Sequence, residues 1–559
     1  MSKIKLFTLS LFLLLNPLMI SAQDQLLDIL EKELIREFTY LNKQEIPAYY
    51  LSYRVAEQNV IEISGSFGAL DRILRTNIRM ATTQVRAGSA ELDNFHEIKG
   101  GGIMLPTGSS LLPVVNDESA IRQILWKTTN EKYFQAVQRV SQVKGNIAVN
   151  AAQEDKSPDF SEEPAEKYYE PPLKLSIDKN TEEKLISKIR LYSAVFTKSK
   201  SISNSAVRFN VNYERDYFVS SSGSKIAENH PKITLSISGN TLAADGMEMP
   251  LYKTYFITDI KDLPKDEIVL ADVNEMINKL EALQTAQVVE PYSGPALLSG
   301  AAAGVFFHEI FGHRVESSRM KSDNDAQTFK NKIGEQVLNK DVSIIFDPTI
   351  TSYKGFPLSG SYKYDDEGVK SRKVLIVNNG LLNDFLANRT PIDGKLNSNG
   401  HGRAQPGMNP VSRQSNLILE SSKIVPESEL RAMFIEELKR QNLGFGYYFR
   451  EVSGGFTSTG RIQPNAFNVT PLEVYKVYAD GKPDELVRGI NLVGTPLAMF
   501  SEIKAVGGDY GLFNGTCGAE SGSIPVASVC PMMFVQKIEI QKKAKSSNTK
   551  PILEMPTVF

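Results

Sequence analysis

Cysteine is almost absent from this chain, since only Cys517 and Cys530 occur in 559 residues. A fold held together by several disulfides is therefore excluded. The length and the 41% hydrophobic content instead suffice for two or three domains with hydrophobic cores. A charge excess of either sign is also missing, because the net charge is only −2. The chain lacks the strongly basic surface of a nucleic-acid-binding protein, and we expect no nucleic-acid partner.

Long hydrophobic runs are missing everywhere except at the N-terminus. There Lys3 and Lys5 precede an almost wholly apolar stretch, residues 6–15, which is followed by a few small residues. This pattern predicts a secretory signal peptide over residues 1–22, with an uncleaved N-terminal anchor as the alternative. We expect a mature chain that begins near Gln23, works in the periplasm or outside the cell, and has no stable membrane anchor.

Apolar residues recur with two different periods in the first half of the chain. Met276 and Leu280 belong to a stretch with helical spacing, whereas Val207, Phe209 and Val211 alternate as in a strand. Later in the chain strand and loop patterns rich in Gly and Asn dominate, around one short helical motif. We therefore predict an α+β fold, in which an N-terminal α/β domain with a mixed sheet and helices precedes a mostly-β C-terminal domain that carries one HExxxH helix.

Changes in composition set the predicted domain boundaries. The N-terminal domain is expected over residues 23–290, the C-terminal domain over 291–541, and a Lys/Ser-rich tail over 542–559. Between residues 154 and 172, seven acidic residues stand against two lysines, and four prolines interrupt the chain. We therefore predict that residues 152–172 form a solvated acidic linker or long loop.

One short segment concentrates residues that can carry chemistry. His308, Glu309 and His313 lie within six positions, although the whole chain has only five histidines. Two neutral imidazoles that bind a metal, and a glutamate that takes a proton from a water molecule, are typical of a hydrolytic zinc site. The alternative is a buried helix whose histidines only form hydrogen bonds. The small, apolar residues 299–305 before the motif suit a closely packed helix.

The two histidines are five positions apart, one more than in the common zinc-peptidase pattern. On an ideal helix this spacing separates the side chains by about 140°. Either the helix kinks or widens near Gly312, or it ends there and His313 swings back toward His308. Glu309 and His313, four positions apart, form an alternative ligand pair on one helix face.

A catalytic zinc ion has three protein ligands and one open position, so a third ligand is needed. The candidates are Cys517, Cys530, His401 and a nearby carboxylate. Cys517 is favoured because Gly515 and Gly518 flank it, which predicts a turn where backbone can approach a metal. Cys530 precedes a proline at the edge of a predicted strand. A disulfide between the two cysteines, or two inert thiols, are the alternatives.

Further motifs follow one another in a fixed order along the second half of the chain. They are Gly294-Pro295, His308-Glu309 with His313, Glu316, Asp365-Asp366-Glu367-Gly368, Asn399-Gly400-His401-Gly402-Arg403, Cys517-Gly518 and Ile524-Pro525-Val526. In this order, from about residue 294 to 540, the chain resembles the TldD/PmbA family of metallopeptidases. The first half matches that family only loosely, and a signal peptide is unusual in it.

The resemblance implies that His308, His313 and Cys517 bind Zn²⁺, that the wide histidine spacing is the family's own, and that Cys530 is a bystander. It also implies flexible or unfolded peptide substrates, bound in extended form within a two-subunit assembly. The assembly would be a homodimer or a heterodimer with a metal-free relative. Because this chain keeps the metal motif, it resembles the active type of subunit.

We therefore expect a zinc-dependent peptidase in which Glu309 activates the water. Arg403 or Tyr362 could stabilise the oxyanion, although Arg403 could equally brace its glycine-rich loop. One alternative function is a non-catalytic interaction subunit with a structural metal or none. Another is a carbohydrate-active protein that uses carboxylates of residues 365–367, but acidic residues in a turn ending in glycine more often only form the turn.

Overall fold

The computed structural model describes residues 24–98, 109–149, 155–173, 177–461, 467–494 and 499–543. The predicted signal peptide lies outside these residues, as does the predicted tail from residue 544 onward, so both stay predictions. Among the described helices, none is long and apolar enough to cross a membrane. The described chain has the predicted α+β architecture, which is built on two large sheets.

The first sheet is formed by strands that precede residue 258. Its strands in the described residues are β1 Ala48–Ser66, β2 Ala69–Ala87, β3 Ser109–Leu112, β4 Lys167–Tyr169, β5 Ile202–Ser220, β6 Lys225–Leu242 and β7 Glu248–Ile257. They lie in the order β3-β2-β1-β5-β6-β4, and β7 also pairs with β6. Only β4 and β6 run parallel among these described pairs, so the sheet is mixed, as predicted.

In the described part of the chain, four α-helices cover one face of the first sheet. They are α1 Gln25–Leu41, α2 Glu118–Val149, α3 Lys179–Ala194 and α4 Asp266–Thr285. The core under α1 and α2 contains Tyr53 and Val55, and the core under α3 and α4 contains Ile63. These odd-numbered residues of β1 share a face, because side chains alternate along a strand. Arg54 lies on the opposite face, where its guanidinium pairs with the carboxylate of Asp366 at 2.6 Å and so contacts the second half of the chain.

The second half of the chain contains many short strands and a few long ones, together with the α-helices named below. The strands are β8 Gln287–Val288, β9 Tyr292–Leu298, β10 Val342–Phe346, β11 Ser352–Tyr353, β12 Phe356–Pro357, β13 Val374–Asn378, β14 Leu381–Leu382, β15 Gly402–Arg403, β16 Val411–Ser412, β17 Asn416–Ser421, β18 Phe445–Thr457, β19 Phe467–Tyr478, β20 Glu485–Arg488, β21 Ile490–Gly494, β22 Ile503–Ala519 and β23 Gly522–Lys542. The helices are α5 Gly300–Ile310, α6 Ser318–Lys321 and α7 Glu427–Arg440.

Twelve of these described strands form one sheet, in which β23 is central. The order is β14-β13-β10-β17-β23-β9-β18-β19-β20-β8, and β21 and β22 also pair with β23. The pairs β11–β12 and β15–β16 are separate two-stranded ribbons. The strand β22 pairs directly with β23, whereas β18 pairs with β9, which in turn pairs with β23.

The helix α5 packs against β18, β22 and β23 at very short distance. A Cβ atom on Gly300 would lie 2.0 Å from the backbone nitrogen of Gly511, and one on Gly304 would lie 3.2 Å from Ser528. Ser299 caps the helix, since its hydroxyl oxygen accepts a hydrogen bond from the backbone N–H of Ala302. The small residues before the histidines are therefore required for close packing between helix and sheet.

The first part of the acidic segment is packed against both halves of the chain. In residues 155–173 the carboxylate of Asp159 accepts a hydrogen bond from the backbone N–H of Asp93, at 2.9 Å. The ring of Phe160 is buried, and the guanidinium of Arg389 stacks on it, 3.9 Å from the ring centroid. The segment is mostly a loop, which is one of the two predicted alternatives. Its residues 155 and 159–161 are buried rather than solvated, whereas Glu162 and residues 171–173 are exposed.

Candidate metal centre

The helix that carries His308 ends before His313. The last residue of α5 is Ile310, and residues 312–314 form a separate 3₁₀ turn. Because of this break, the imidazole of His313 swings back, and its ring centroid lies 5.0 Å from that of His308. Of the two routes that the sequence allows, the structure uses the ending of the helix rather than a kink within it.

The turn at Gly312 leaves room for a glutamine from a distant loop. A Cβ atom on Gly312 would lie 1.9 Å from Oε1 of Gln414, so no larger residue fits without displacing that side chain. The amide nitrogen of Gln414 donates a hydrogen bond to the backbone carbonyl of His308, at 3.2 Å. Gln414 thereby holds the end of the helix in the conformation that brings the two histidines together.

Cys517 joins the two histidines from the strand β22. The sequence predicted a glycine-flanked turn at this position, and that prediction is wrong, because Cys517 is paired with Ile524 inside the β22–β23 hairpin. Pairing with β23 overrides the preference of the flanking glycines for a turn. The sulfur lies 3.4 Å from Nε2 of His313. Pairing within the hairpin therefore fixes the position of the Cys517 thiol beside the end of α5.

The other candidates for a third ligand lie elsewhere. Cys530 is fully buried inside β23, opposite Gly511, and not at the edge of a strand as the sequence suggested. Both cysteines are free, so the alternative of a disulfide between them is not realised. His401 is also fully buried, and its Nε2 forms a hydrogen bond with the hydroxyl of Ser415, at 3.1 Å. Among the described residues, the candidate ligands whose donor atoms lie together are His308, His313 and Cys517.

These three side chains have the spacing that a tetrahedral zinc ion needs. Zn–N distances of about 2.0–2.1 Å and a Zn–S distance of about 2.3 Å place neighbouring ligand atoms roughly 3.5 Å apart. The observed separation of Cys517 Sγ and His313 Nε2 is close to that value, and one donor atom from each residue lies within 4.8 Å of the others. Nδ1 of His308 is buried without a hydrogen-bond partner among the described residues. The donor set therefore fits zinc.

A cavity of about 450 Å³ opens beside the three donors. It is lined by His308, Glu309, His313 and Cys517, together with residues 453–457 of β18 and 513–520 of β22 and its following turn. A structural zinc site is closed by four protein ligands, whereas a catalytic site keeps one position for water or substrate. Three donors beside a cavity correspond to the open type of site rather than to the closed type.

Buried charges around the donors shift their pKa values. Burial opposes protonation of His313, but the carboxylate of Glu316 and the thiol of Cys517 outweigh it and raise the pKa of His313 to about 10. Burial would raise the pKa of Glu316, yet His313 and Arg319 lower it to about 2. The Cys517 thiol has a pKa well below its usual range, because the neighbouring imidazoles outweigh its burial. The protein thus favours the thiolate, the form that binds metal.

Glu309 lies beside the donors and is 6% exposed. Burial raises the pKa of its carboxyl group, while His308 and His313 oppose that rise. Its side chain touches the backbone of β18, since a Cβ atom on Gly455 would lie 2.5 Å from Cγ of Glu309 and 2.9 Å from Oε1. Gly455 therefore provides the space in which the Glu309 carboxylate lies, and the sequence alone did not indicate this role.

Gly455→Ala is accordingly expected to displace the Glu309 carboxylate. Because the atoms nearest to such a Cβ belong to Glu309 and not to a metal donor, metal content should stay unchanged while kcat/KM for a peptide falls by at least about tenfold, the typical cost of misplacing a catalytic base. Gly444→Ala is the matched control, since nothing lies within 4 Å of a Cβ atom at that position. Equal activity of the two variants would show that Glu309 does not need its present position.

Sequence reasoning also missed Arg413, which is fully buried. One of its guanidinium nitrogens, Nη2, donates to the carbonyl oxygen of Cys517 at 2.7 Å and approaches the sulfur at 3.2 Å. Residues 412–416 are all polar and all fully buried. A run of polar residues normally predicts an exposed loop. The one sequence feature that could have indicated burial of this run is its position next to the apolar residues of strand β17.

The two candidates for stabilising the oxyanion have structural roles outside this cavity. Arg403 donates hydrogen bonds to the carbonyls of Gln414 and Pro525, both at 2.8 Å, and braces its loop as the alternative interpretation held. Tyr362 donates to the carbonyl of Gly400 at 2.9 Å. Neither residue lines the cavity beside the metal donors, so the structure gives no support to either as the oxyanion stabiliser.

The acidic turn that suggested a carbohydrate-active site is a structural turn. The carboxylate of Asp365 accepts hydrogen bonds from the backbone N–H groups of Glu367, Val369 and Gly402. Gly368 ends the turn with φ = +74°, a conformation that favours glycine. Asp365 therefore serves the backbone of the turn and its neighbouring strand, as acidic residues in such turns usually do, and Asp366 and Glu367 are engaged by Arg54 and by the backbone N–H of Arg389.

Comparison with known sequences supports the resemblance found above. Residues 291–542 match the family model described as PmbA/TldA metallopeptidase C-terminal domain. A metalloprotease of Methanothermobacter thermautotrophicus is 28% identical over 325 residues, which are 57% of this chain and 65% of that protein. A zinc metalloprotease TldD homolog of Saccharolobus solfataricus is 26% identical over 377 residues, 65% of this chain and 77% of that protein. The matches to three archaeal metalloproteases span 47–65% of their length.

The fold also has a solved relative. TldE from Thermococcus kodakarensis superimposes with a TM-score of 0.60 and 14% identity, over 93% of this chain and 100% of that one. At this identity the match shows the fold alone, and it extends over both halves of the chain. The family model and the curated relatives agree with each other, and residues 291–542 therefore belong to the TldD/PmbA family as its C-terminal domain.

Proposed function

We propose that this protein is a zinc-dependent peptidase that hydrolyses peptide bonds in flexible or unfolded peptides. One observation carries the proposal: His308, His313 and Cys517 converge beside a cavity that Glu309 also lines. The names of the curated relatives, metalloprotease and zinc metalloprotease TldD homolog, support the same class of reaction.

Each residue of the site would have a separate role in the reaction. When bound, zinc supplies Lewis acidity, which lowers the pKa of a water molecule and polarises a substrate carbonyl. His308 and His313 would hold the metal as neutral imidazoles, and Cys517 would hold it as a thiolate, whose charge would make the Lewis acid milder than three imidazoles would. Glu309 takes the proton of the attacking water and can return it to the leaving amine.

Two strand edges beside the cavity suit an extended peptide. Among the described residues, 453–457 of β18 pair only with β19, and 513–519 of β22 pair only with β23. Each segment therefore has one edge whose N–H and C=O groups are not used in a sheet. A peptide that adds to such an edge is held mainly by its backbone, so many sequences can bind. This favours flexible chains over folded proteins as substrates.

The alternative is a non-catalytic subunit that binds a structural metal or none. The cavity beside three donors favours catalysis over that alternative, because a structural site would leave no room for substrate. Metal-loaded protein that cleaves no unfolded peptide, alone or with a purified relative, would support the non-catalytic alternative.

Protein purified without chelators is expected to contain one zinc ion per chain, measured by elemental analysis. It should cleave a denatured protein or an unstructured peptide, lose the activity to a chelator and regain it with zinc. The double variant His308→Ala, His313→Ala should contain no zinc. His230→Ala is the control, because this half-buried histidine lines a different cavity. Zinc-free wild-type protein with chelator-resistant cleavage would contradict the proposal.

A further inference from the structure

The guanidinium of Arg413 links the candidate thiolate ligand to the hairpin that carries it. Its Nη2 lies 3.2 Å from the sulfur and 2.7 Å from the carbonyl oxygen of Cys517. Its Nη1 donates to the hydroxyl of Ser521 and to the carbonyl of Gly522, at 2.8 and 2.9 Å. The side chain is fully buried, so neither solvent nor salt weakens these contacts.

The same arginine also faces the carboxylate that holds His313. Nε of Arg413 lies 3.8 Å from Oε1 of Glu316, and both side chains are fully buried. The other carboxylate oxygen of Glu316 contacts Nδ1 of His313 at 3.1 Å and accepts a hydrogen bond from Nε of Arg319 at 2.8 Å. Two metal donors, His313 and Cys517, are thus joined through one buried carboxylate and one buried guanidinium.

We propose that Arg413 is a positioning residue that donates an N–H···S hydrogen bond to the Cys517 thiolate and thereby sets how much charge the sulfur gives to the metal. The inference rests on the proposed metal site. A thiolate donates more electron density than an imidazole, and a hydrogen bond from a charged donor draws part of that density back. The site would then keep enough Lewis acidity for hydrolysis although one of its ligands is anionic.

A purely structural role for Arg413 makes a different prediction. The contacts with Ser521 and Gly522 could brace the β22–β23 hairpin without any effect on the sulfur. Ser521→Ala removes one bracing contact but leaves the approach to the sulfur intact, which makes it the matched control. The variants Arg413→Met and Arg413→Lys remove the guanidinium, and lysine retains the charge without the planar fork.

Cobalt(II) is the probe, because the charge-transfer band between sulfur and cobalt reports electron donation by the thiolate and requires no substrate. Without the hydrogen bond the sulfur donates more readily, so the band of Arg413→Met should move to longer wavelength, with Arg413→Lys between it and the wild type. Ser521→Ala should keep the wild-type band. Affinity for cobalt and zinc should fall by about 10- to 100-fold in Arg413→Met, as for other outer-shell partners of metal ligands.

Circular dichroism and thermal unfolding identify any variant that fails to fold. If Arg413→Met does not fold, the position of the sulfur–cobalt band is compared between Arg413→Lys and the wild type. Wild-type protein that binds no cobalt would overturn the proposed metal site and the inference with it. Wild-type protein that binds cobalt, while folded Arg413 variants keep its band position, would overturn the inference alone. A band that moves equally in Ser521→Ala would assign the effect to the hairpin and also overturn it.

Discussion

Glu309→Gln is expected to retain zinc and to lose peptide cleavage by about 10²–10⁴-fold, the contribution of a general base. The side chain is buried in the cavity beside the metal donors, and its carboxylate fits against Gly455. Glutamine preserves the shape of that side chain but cannot accept a proton from water. The effect should appear in kcat with an unstructured peptide as substrate, and elemental analysis should find an unchanged zinc content.

Glu520→Gln is the matched control for this experiment. Glu520 lines the same cavity, but its carboxylate pairs with Arg319 at 2.9 Å and is 29% exposed. A partly exposed ion pair contributes at most about 1 kcal/mol, so kcat/KM should change by less than about tenfold. Near-normal turnover of zinc-loaded Glu309→Gln would exclude the mechanism and favour a structural metal.

Cys517→Ala is expected to weaken zinc binding by more than about 100-fold and to abolish cleavage. Loss of an outer-shell partner already lowers metal affinity by about 10- to 100-fold, and here a ligand itself is removed. Only the imidazoles of His308 and His313 would remain, and the buried guanidinium of Arg413 would lose its sulfur partner. Competition with a chromophoric chelator measures the affinity, and a peptide assay with added zinc measures the activity.

Cys530→Ala is the natural control, because it alters the other cysteine of the chain. Cys530 is fully buried in β23, and burial raises the pKa of its thiol, so it is an inert core residue. The variant should keep its zinc and its activity and lose about 1 kcal/mol of stability through a small cavity. Unfolding in denaturant measures that cost. A disulfide between the two cysteines in active, zinc-loaded protein, detected by mass spectrometry, would contradict the assignment of Cys517.

Local periodicity was enough to predict much of the fold. Val207, Phe209 and Val211 alternate in the sequence and are all buried in β5, and the apolar stripe that contains Met276 and Leu280 is the buried face of α4. These features depend on neighbours within a few positions, because helices and strands impose fixed periods on the residues that face a core. The motif around the histidines is local for the same reason.

Contacts between distant segments could not be predicted in this way. Cys517 lies 204 positions after His313, and its partner Arg413 lies 104 positions before it. Whether their side chains meet depends on the register of the β22–β23 hairpin, which no local spacing encodes. The residues around Cys517 made it the favoured third metal ligand among several candidates. Only the family resemblance then selected it.

By itself the sequence determined the α+β class, the apolar faces of the main helices and strands, and a His-Glu motif in a chain with few histidines. Only the tertiary structure decided that α5 ends before His313, that Cys517 lies in a strand, and that Gly455 and Arg413 contact the site. The first set depends on short-range periodicity. The second depends on sheet pairing and on the burial of polar groups, which are settled only when segments hundreds of residues apart pack together.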